Sequence, residues 1–345
     1  MRHLGLMRER LQRVRERTNG YTVTPEQYVI AAYAALAALT LIVLSGAAVR
    51  LTGSGLGCPD WPRCYGHAYP PLNSHAVIEF SNRALTGPVS IAAGAAWVLA
   101  LRRRPYRRDL AWISALLPLG VIAQAVLGGF TVRGALDYGW VMGHFALSML
   151  ILVAAVLLVW RARREPADTR APARAPSDRA LVYSVRVLVG LGALTIFAGT
   201  AATAAGPHAG GSPGQRINRL NFDGRTTMDF VIHRHGEIAL AFGVAAVAVW
   251  FLARRLHASA QVRRPLTALC VLIALQGVVG LDQYKTHLPT ELVWVHVALA
   301  SVAWLAALWA AVAVGAVASR AALTDEVPDE RSRAATLASG TTALR

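Results

Sequence analysis

The sequence predicts an all-α, polytopic membrane protein: eight transmembrane helices arranged as two repeated four-helix bundles. Three observations carry that reading. Apolar residues make up 55% of the 345-residue chain, and the mean hydropathy is +0.42, too apolar for an ordinary soluble domain of this size. Eight apolar stretches each reach the roughly 20 residues that span a bilayer. A set of polar residues inside those stretches also recurs after about 152 positions, which marks an internal duplication.

Along the chain, residues 1–26 form a basic cytoplasmic lead, with a short surface helix expected from Arg8 to Arg17. No cleavable signal peptide is expected there, because the first apolar run is long enough to span. The stretches 27–49, 76–100, 110–132 and 138–160 make the first bundle, taken as 27–160. Backbone groups in hydrocarbon must be satisfied within their own segment, so these are helices. Residues 161–180 (RARREPADTRAPARAPSDRA) are rich in Arg, Pro and Ala, cannot bury a core, and read as a flexible cytoplasmic linker. The stretches 181–204, 229–253, 265–283 and 291–318 make the second bundle, 181–318, and a disordered cytoplasmic tail is expected over 319–345.

The net charge of +16 is a topology signal. The lead, the linker, the tail and the segments 101–109 and 254–264 hold 25 of the 35 Lys and Arg, whereas the alternate loops hold seven. That asymmetry is the positive-inside pattern, so a multi-pass protein of the plasma membrane is expected, with both termini cytoplasmic. Nucleic acid is excluded as a partner because aromatic stacking platforms beside the Arg runs are lacking. The lipid bilayer, with its anionic head groups, is the partner this charge suits.

The repeat is read from residue types and spacing. Gln124 lies 20 positions before His144, and Gln276 lies 20 before His296. Gly46 and Gly53 are answered by Gly199 and Gly206, and Asn82-Arg83 by His233-Arg234. His144, His233 and His296 sit near the outer ends of even-numbered helices, about 6–10 Å below the helix start at 1.5 Å per residue. Ionisable groups at that depth are costly and default to function. Imidazoles from facing helices can ligate a haem iron axially inside a bundle. His233 and His296 are the natural pair of the second half; His235 is the rival of His233, since helix phase alone does not separate them. The first half offers His144 with Asn82, an amide and a poor iron ligand, so one haem would be fixed and the other held loosely, as a substrate is.

Glu79 lies three residues before Asn82 on one helix face and is the candidate proton-handling group; the bland alternative is an ion pair with Arg83 or a histidine. His75 is on the same face, nearer the surface. Arg83 and Arg234 could bind haem propionates as charge-assisted donors or snorkel to the head groups. Cys58 and Cys64 flank CPDWPRC in the first outer loop, on the oxidising side. Their spacing suits a loop staple or a redox pair, and zinc would need four ligands. Cys270 stands alone in an apolar stretch and reads as packing.

These residues resemble the haem A synthases. The matching strings are Thr52-Gly-Ser-Gly-Leu-Gly-Cys-Pro-Asp-Trp-Pro-Arg-Cys64, Glu79-Phe-Ser-Asn-Arg83, Gly143-His-Phe-Ala146, His233-Arg234 and Val295-His296, in family order and spread over both halves. The string Ala205-Gly-Pro-His-Ala-Gly-Gly211 resembles the actinobacterial branch. The resemblance implies oxidation of the C8 methyl of haem O to a formyl group by successive hydroxylations, giving haem A for terminal oxidases. It implies Glu79 as the catalytic residue, His144 on the substrate side, His233 and His296 holding one fixed haem b in the C-terminal bundle, and Cys58 and Cys64 as the paired loop cysteines. Asn82 stands where many members have histidine. The implied partners are haem O, the haem O synthase and an electron partner of unidentified nature. A diheme b-type electron-transfer cytochrome would use the same histidines but leave Glu79 and Asn82 without a purpose. A transporter would place its polar groups at the midplane rather than toward one face.

Overall fold

The computed structural model describes residues 20–164, 178–224 and 226–315. The expected surface helix over Arg8–Arg17, most of the linker and the tail 319–345 lie outside the described residues. Eight helices, each long and apolar enough to cross a membrane, make up the described regular structure: α1 Pro25–Leu51, α2 Ser74–Arg102, α3 Arg108–Arg133, α4 Tyr138–Ala162, α5 Arg179–Ala205, α6 Thr226–Arg255, α7 Ala260–Lys285 and α8 Thr290–Val314. The last helix stops short of the expected 318. Gly315 follows it at φ 80°, in the left-handed region where a glycine ends a helix.

Local chemistry sets the other ends. Thr24 and Gln27 form a reciprocal capping box before α1, with Pro25 as the first helical residue. Asn73 caps α2 through Ala76 N at 2.8 Å, and Asp137 and Asp178 cap α4 and α5. Pro88, Pro118 and Pro265 lie inside α2, α3 and α7, a tolerance that packed transmembrane helices allow.

Within each half, every helix packs on its sequence neighbours, and the first and fourth close the ring. Arg107, just before α3, bonds the Arg161 carbonyl at the end of α4 at 2.9 Å and pairs with Asp109 at 2.6 Å. The halves meet along α8, which touches α1 and α4 as well as α5 and α7. Trp304 and Leu308 of α8 belong to the apolar core of the first half, while Ala303, Ala307 and Ala310 belong to that of the second. Two indole donors pin the seam: Trp294 Nε1 to Leu44 O at 3.1 Å and Trp304 Nε1 to Met149 O at 3.1 Å. A helix apolar on all sides is what this central position requires.

Candidate functional site

Polar groups converge at the outer end of each half. In the second half, His235 of α6 faces His296 of α8, with ring centroids 6.2 Å apart and planes at 79°. Each ring lies against a glycine of the neighbouring helix. A Cβ at Gly199 would come within 3.1 Å of His235 Cε1, and one at Gly280 within 3.2 Å of His296 Cε1. His235 Nδ1 is 3.1 Å from Thr195 O, one turn before Gly199. With Nδ1 fixed on a carbonyl, Nε2 is left for a ligand, the usual arrangement of a metal-binding imidazole.

His233 does not join this pair. Its ring is exposed, with Nδ1 2.7 Å from Asp229 O on its own helix. Two residues along a helix turn the side chain by about 200°, so only one of the two histidines can face α8. The structure thus brings His235, the rival in the sequence, and not His233 to face His296. A signal for this was present in the sequence: 36 residues separate Gly46 from Asn82 and Gly199 from His235, whereas matching Asn82-Arg83 to His233-Arg234 shifts that register by two.

The first half has the same frame with fewer imidazoles. Gly128 underlies His144, where a Cβ would come within 3.4 Å of Cε1. The buried atoms left without a protein partner repeat between halves: Gln124 Oε1 with His144 Nδ1, and Gln276 Oε1 with His296 Nδ1. Gln124 Nε2 bonds His144 O at 2.9 Å and Ser148 Oγ at 2.6 Å. The fourth position holds Asn82, whose Oδ1 accepts from Ser45 Oγ of α1 at 2.7 Å. A Cβ at Gly46 would meet nothing within 4 Å, because an amide is too short to cover the glycine that its histidine counterpart covers.

Above this position lies the first outer loop, closed by a disulfide between Cys58 and Cys64, with Cα atoms 4.7 Å apart. Glu79, 5% exposed, accepts Cys58 N at Oε2 at 2.6 Å, and Arg83 Nη2 binds its other oxygen. Arg83 also donates to Asp60 O and Arg63 O, both at 2.9 Å, and to Cys58 O at 3.2 Å. The ion pair foreseen as the bland alternative for Glu79 is thus formed, and it clamps the loop to α2. Of the two roles open to Arg83 in the sequence, propionate donor or head-group contact, the structure shows neither: its guanidinium is committed to Glu79 and the loop. Arg234 pairs with Glu237 at 2.8 Å, both side chains being more than half exposed. His75 Nδ1 is 3.0 Å from the buried Ser54 hydroxyl.

Within the loop, Asp60 accepts Gly66 N at 2.8 Å and Tyr65 N at 2.6 Å, and these amide donors, Gly66 first, hold its carboxyl below the usual range. Gly57 is required sterically, since a Cβ there would lie 2.2 Å from His75 O at the start of α2. Trp61 covers Gly129 of α3. The second outer loop packs on the first, through Gly55 N to Gly210 O at 2.9 Å and Ser212 Oγ to Gly53 O at 2.7 Å. Cys270 is free and half-buried in α7. Among the described residues, no group of three or more His, Cys, Asp or Glu is placed to hold a metal ion, so imidazoles in pairs are the metal-binding chemistry the arrangement offers.

Residues 30–308 match the family model described as cytochrome oxidase assembly protein. The chain is 30% identical over 299 residues to a protein of Shewanella oneidensis named heme A synthase, covering 74% of this chain and 87% of that one. A heme A synthase of Lysinibacillus sphaericus is 38% identical over 135 residues, 37% of this chain and 42% of that protein. A protein of Thermus thermophilus named protoheme IX farnesyltransferase is 28% identical over 283 residues, covering 77% of this chain and 45% of its own length.

Proposed function

Because this chain belongs to the cytochrome oxidase assembly protein family, we propose that it is a haem A synthase that oxidises the C8 methyl of haem O to a formyl group by successive hydroxylations. The observation that carries the reading is the asymmetry between two otherwise matched sites. One offers two facing imidazoles; the other offers a single imidazole, an amide and a buried carboxylate. A cofactor that stays needs the first arrangement, and a substrate that leaves needs the second.

His235 and His296 would hold haem b. The fit rests on the donor set: two imidazoles from different helices face each other with ring centroids 6.2 Å apart, and a metal–imidazole bond is about 2.0 Å long. The glycines at 199 and 280 leave room for the rings and fix their planes. When bound there, haem b supplies reversible one-electron transfer. On the substrate side, His144 would be the imidazole that holds haem O. Asn82, tied to Ser45, leaves the opposite face open.

Glu79 stands in the outer part of the first bundle, where the second half has Ile232 at the matching register. Arg83 and Cys58 N fix both of its oxygens, so the carboxyl group is positioned before substrate arrives. Each hydroxylation moves two protons and two electrons, released if the oxygen comes from water and consumed if it comes from O2. A fixed carboxyl group on the substrate side could accept or return such a proton. The loop closed by Cys58 and Cys64 covers this group from the outer side and limits water.

We place the protein in the cell membrane with both termini cytoplasmic, which the basic loops support. A haem O synthase as the supplying enzyme is supported by the likeness to a protein named for farnesylating protohaem. A diheme electron carrier would need two sites of equal grip, which Asn82 and the uncovered Gly46 disfavour. The test is extraction and chromatography of haems from cells with a haem O source, with and without this chain. Haem A should appear only with it; haem O unchanged in both would overturn the reading.

A further inference from the structure

Arg50 sits in the last turn of α1, where the two halves meet at their outer ends. It lines a cleft of about 200 Å³ together with Thr52 and Gly53 on one side, His208 and Gly211 of the second outer loop on the other, and Thr290 at the start of α8. The residue is half-buried. Its Nε is sealed from solvent without a partner, and among the described residues its guanidinium has no hydrogen-bond or ion-pair partner.

Holding a guanidinium partly out of water without a counterion is costly. The carbonyl end of α1 offsets part of that cost through its dipole, but no carbonyl accepts from the side chain. Nearby polar groups are committed elsewhere: His208 Nε2 lies 2.7 Å from Leu288 O, and Thr52 Oγ1 bonds Ala48 O at 2.9 Å and Ser54 Oγ at 2.8 Å. The chemistry that complements an unpartnered guanidinium in such a cleft is an anion.

The position on α1 indicates which anion. Arg50 lies four residues beyond Gly46, on the same helix face and about 6 Å further toward the outer side. Gly46 is the glycine left uncovered in the first half, and its counterpart Gly199 carries His235. Arg50 therefore stands one turn above the open axial face of the substrate site. A haem has two carboxylate arms on one edge, and a ring held at the level of Gly46 with that edge outward brings a carboxylate to this height. Arg83 and Arg234 are both engaged by protein groups. We infer that Arg50 is the carboxylate-binding residue of the substrate site, receiving a propionate of the haem held in the N-terminal half. This inference rests on the haem-binding reading given above.

The test uses the purified full chain in detergent, incubated with haem O as the free diacid or as its dimethyl ester. Excess is removed, and retained haem O is counted by chromatography against haem B in the same sample. The unaltered protein should retain the diacid about tenfold better than the ester, the value of a charge-assisted contact. Arg50→Gln should retain both forms equally, and Arg50→Lys should recover part of the preference. Unchanged haem B content and protection of Cys58 and Cys64 from alkylation report that the variants are folded. Equal retention of diacid and ester by the unaltered protein overturns the assignment without reference to any variant. So does a preference that survives in Arg50→Gln; phospholipid phosphorus lost from that variant would then mark the cleft as a head-group site. Retention of neither form would overturn the haem reading along with the inference.

Discussion

The two halves of this protein share one frame and differ at a handful of side chains. Gly128 and Gly280 each underlie a histidine 16 residues further on, and Gln124 and Gln276 stand one turn before those glycines. On the other helix pair, Gly199 carries His235 while Gly46 carries nothing. The first half has Glu79, Arg83 and a disulfide-closed loop where the second has Ile232, Gly236 and no cysteine in its loop. The repeated frame sets matched glycine–histidine contacts in both halves, and the amide of Asn82 stands where the second half has the imidazole of His235. On the proposed reading, grip and turnover are separated by a single ligand position while the bundle geometry stays fixed.

The largest expected effect breaks the paired half. Replacing His235 or His296 with Ala should abolish the low-spin haem b spectrum of the purified protein, while His233→Ala should leave it nearly intact. Loss of the spectrum in His233→Ala alone would return the assignment to that residue.

The next acts only on the unpaired half. Glu79→Gln keeps the shape and most of the hydrogen bonding but removes the proton acceptor, for which a rate loss of about 10²–10⁴-fold is typical. Haem O or its alcohol should accumulate while haem b content stays level. Normal haem A output would leave Glu79 as the clamp of the Cys58 loop and nothing more.

A third change tries to erase the difference. Asn82→His places an imidazole at the uncovered Gly46, where a side chain meets no obstacle. The variant should hold a second haem in low-spin form and release product more slowly. A spectrum identical to the unaltered protein would show that residue 82 is not the missing axial position.

Smaller effects follow from the loop and the glycines. Replacing both Cys58 and Cys64 with Ser should cost about 2 kcal/mol of stability from loop closure, read as a lower thermal midpoint in detergent. Gly199→Ala should lower haem b occupancy, because the added methyl group meets His235 at 3.1 Å, whereas Gly46→Ala should leave it unchanged. Equal effects from the two alanines would mean that the glycines do not set the imidazoles.

Much of this was legible in the residues alone. The eight spans follow from length and hydropathy, because hydrocarbon admits no other backbone arrangement for such stretches. The loop staple, the Asn82 asymmetry and the matched places of His144 and His296 follow from motif and repeat. The Gly46-to-Asn82 spacing even contained the choice of His235, although adjacent histidines on one helix pull the register toward the wrong one. Other features were not legible, because they depend on where a long side chain ends rather than where it starts. Arg83 reaches backbone carbonyls 20 to 25 positions away in the outer loop, and Arg50 comes under a loop more than 150 positions later. Sequence by itself determined that this protein spans a membrane eight times and carries a duplicated, histidine-bearing core, since hydropathy, charge and period are local properties of the chain. Tertiary structure alone decided which arginine clamps the loop and which is left without a partner among the described residues, since both depend on where a long side chain ends against neighbours distant in sequence.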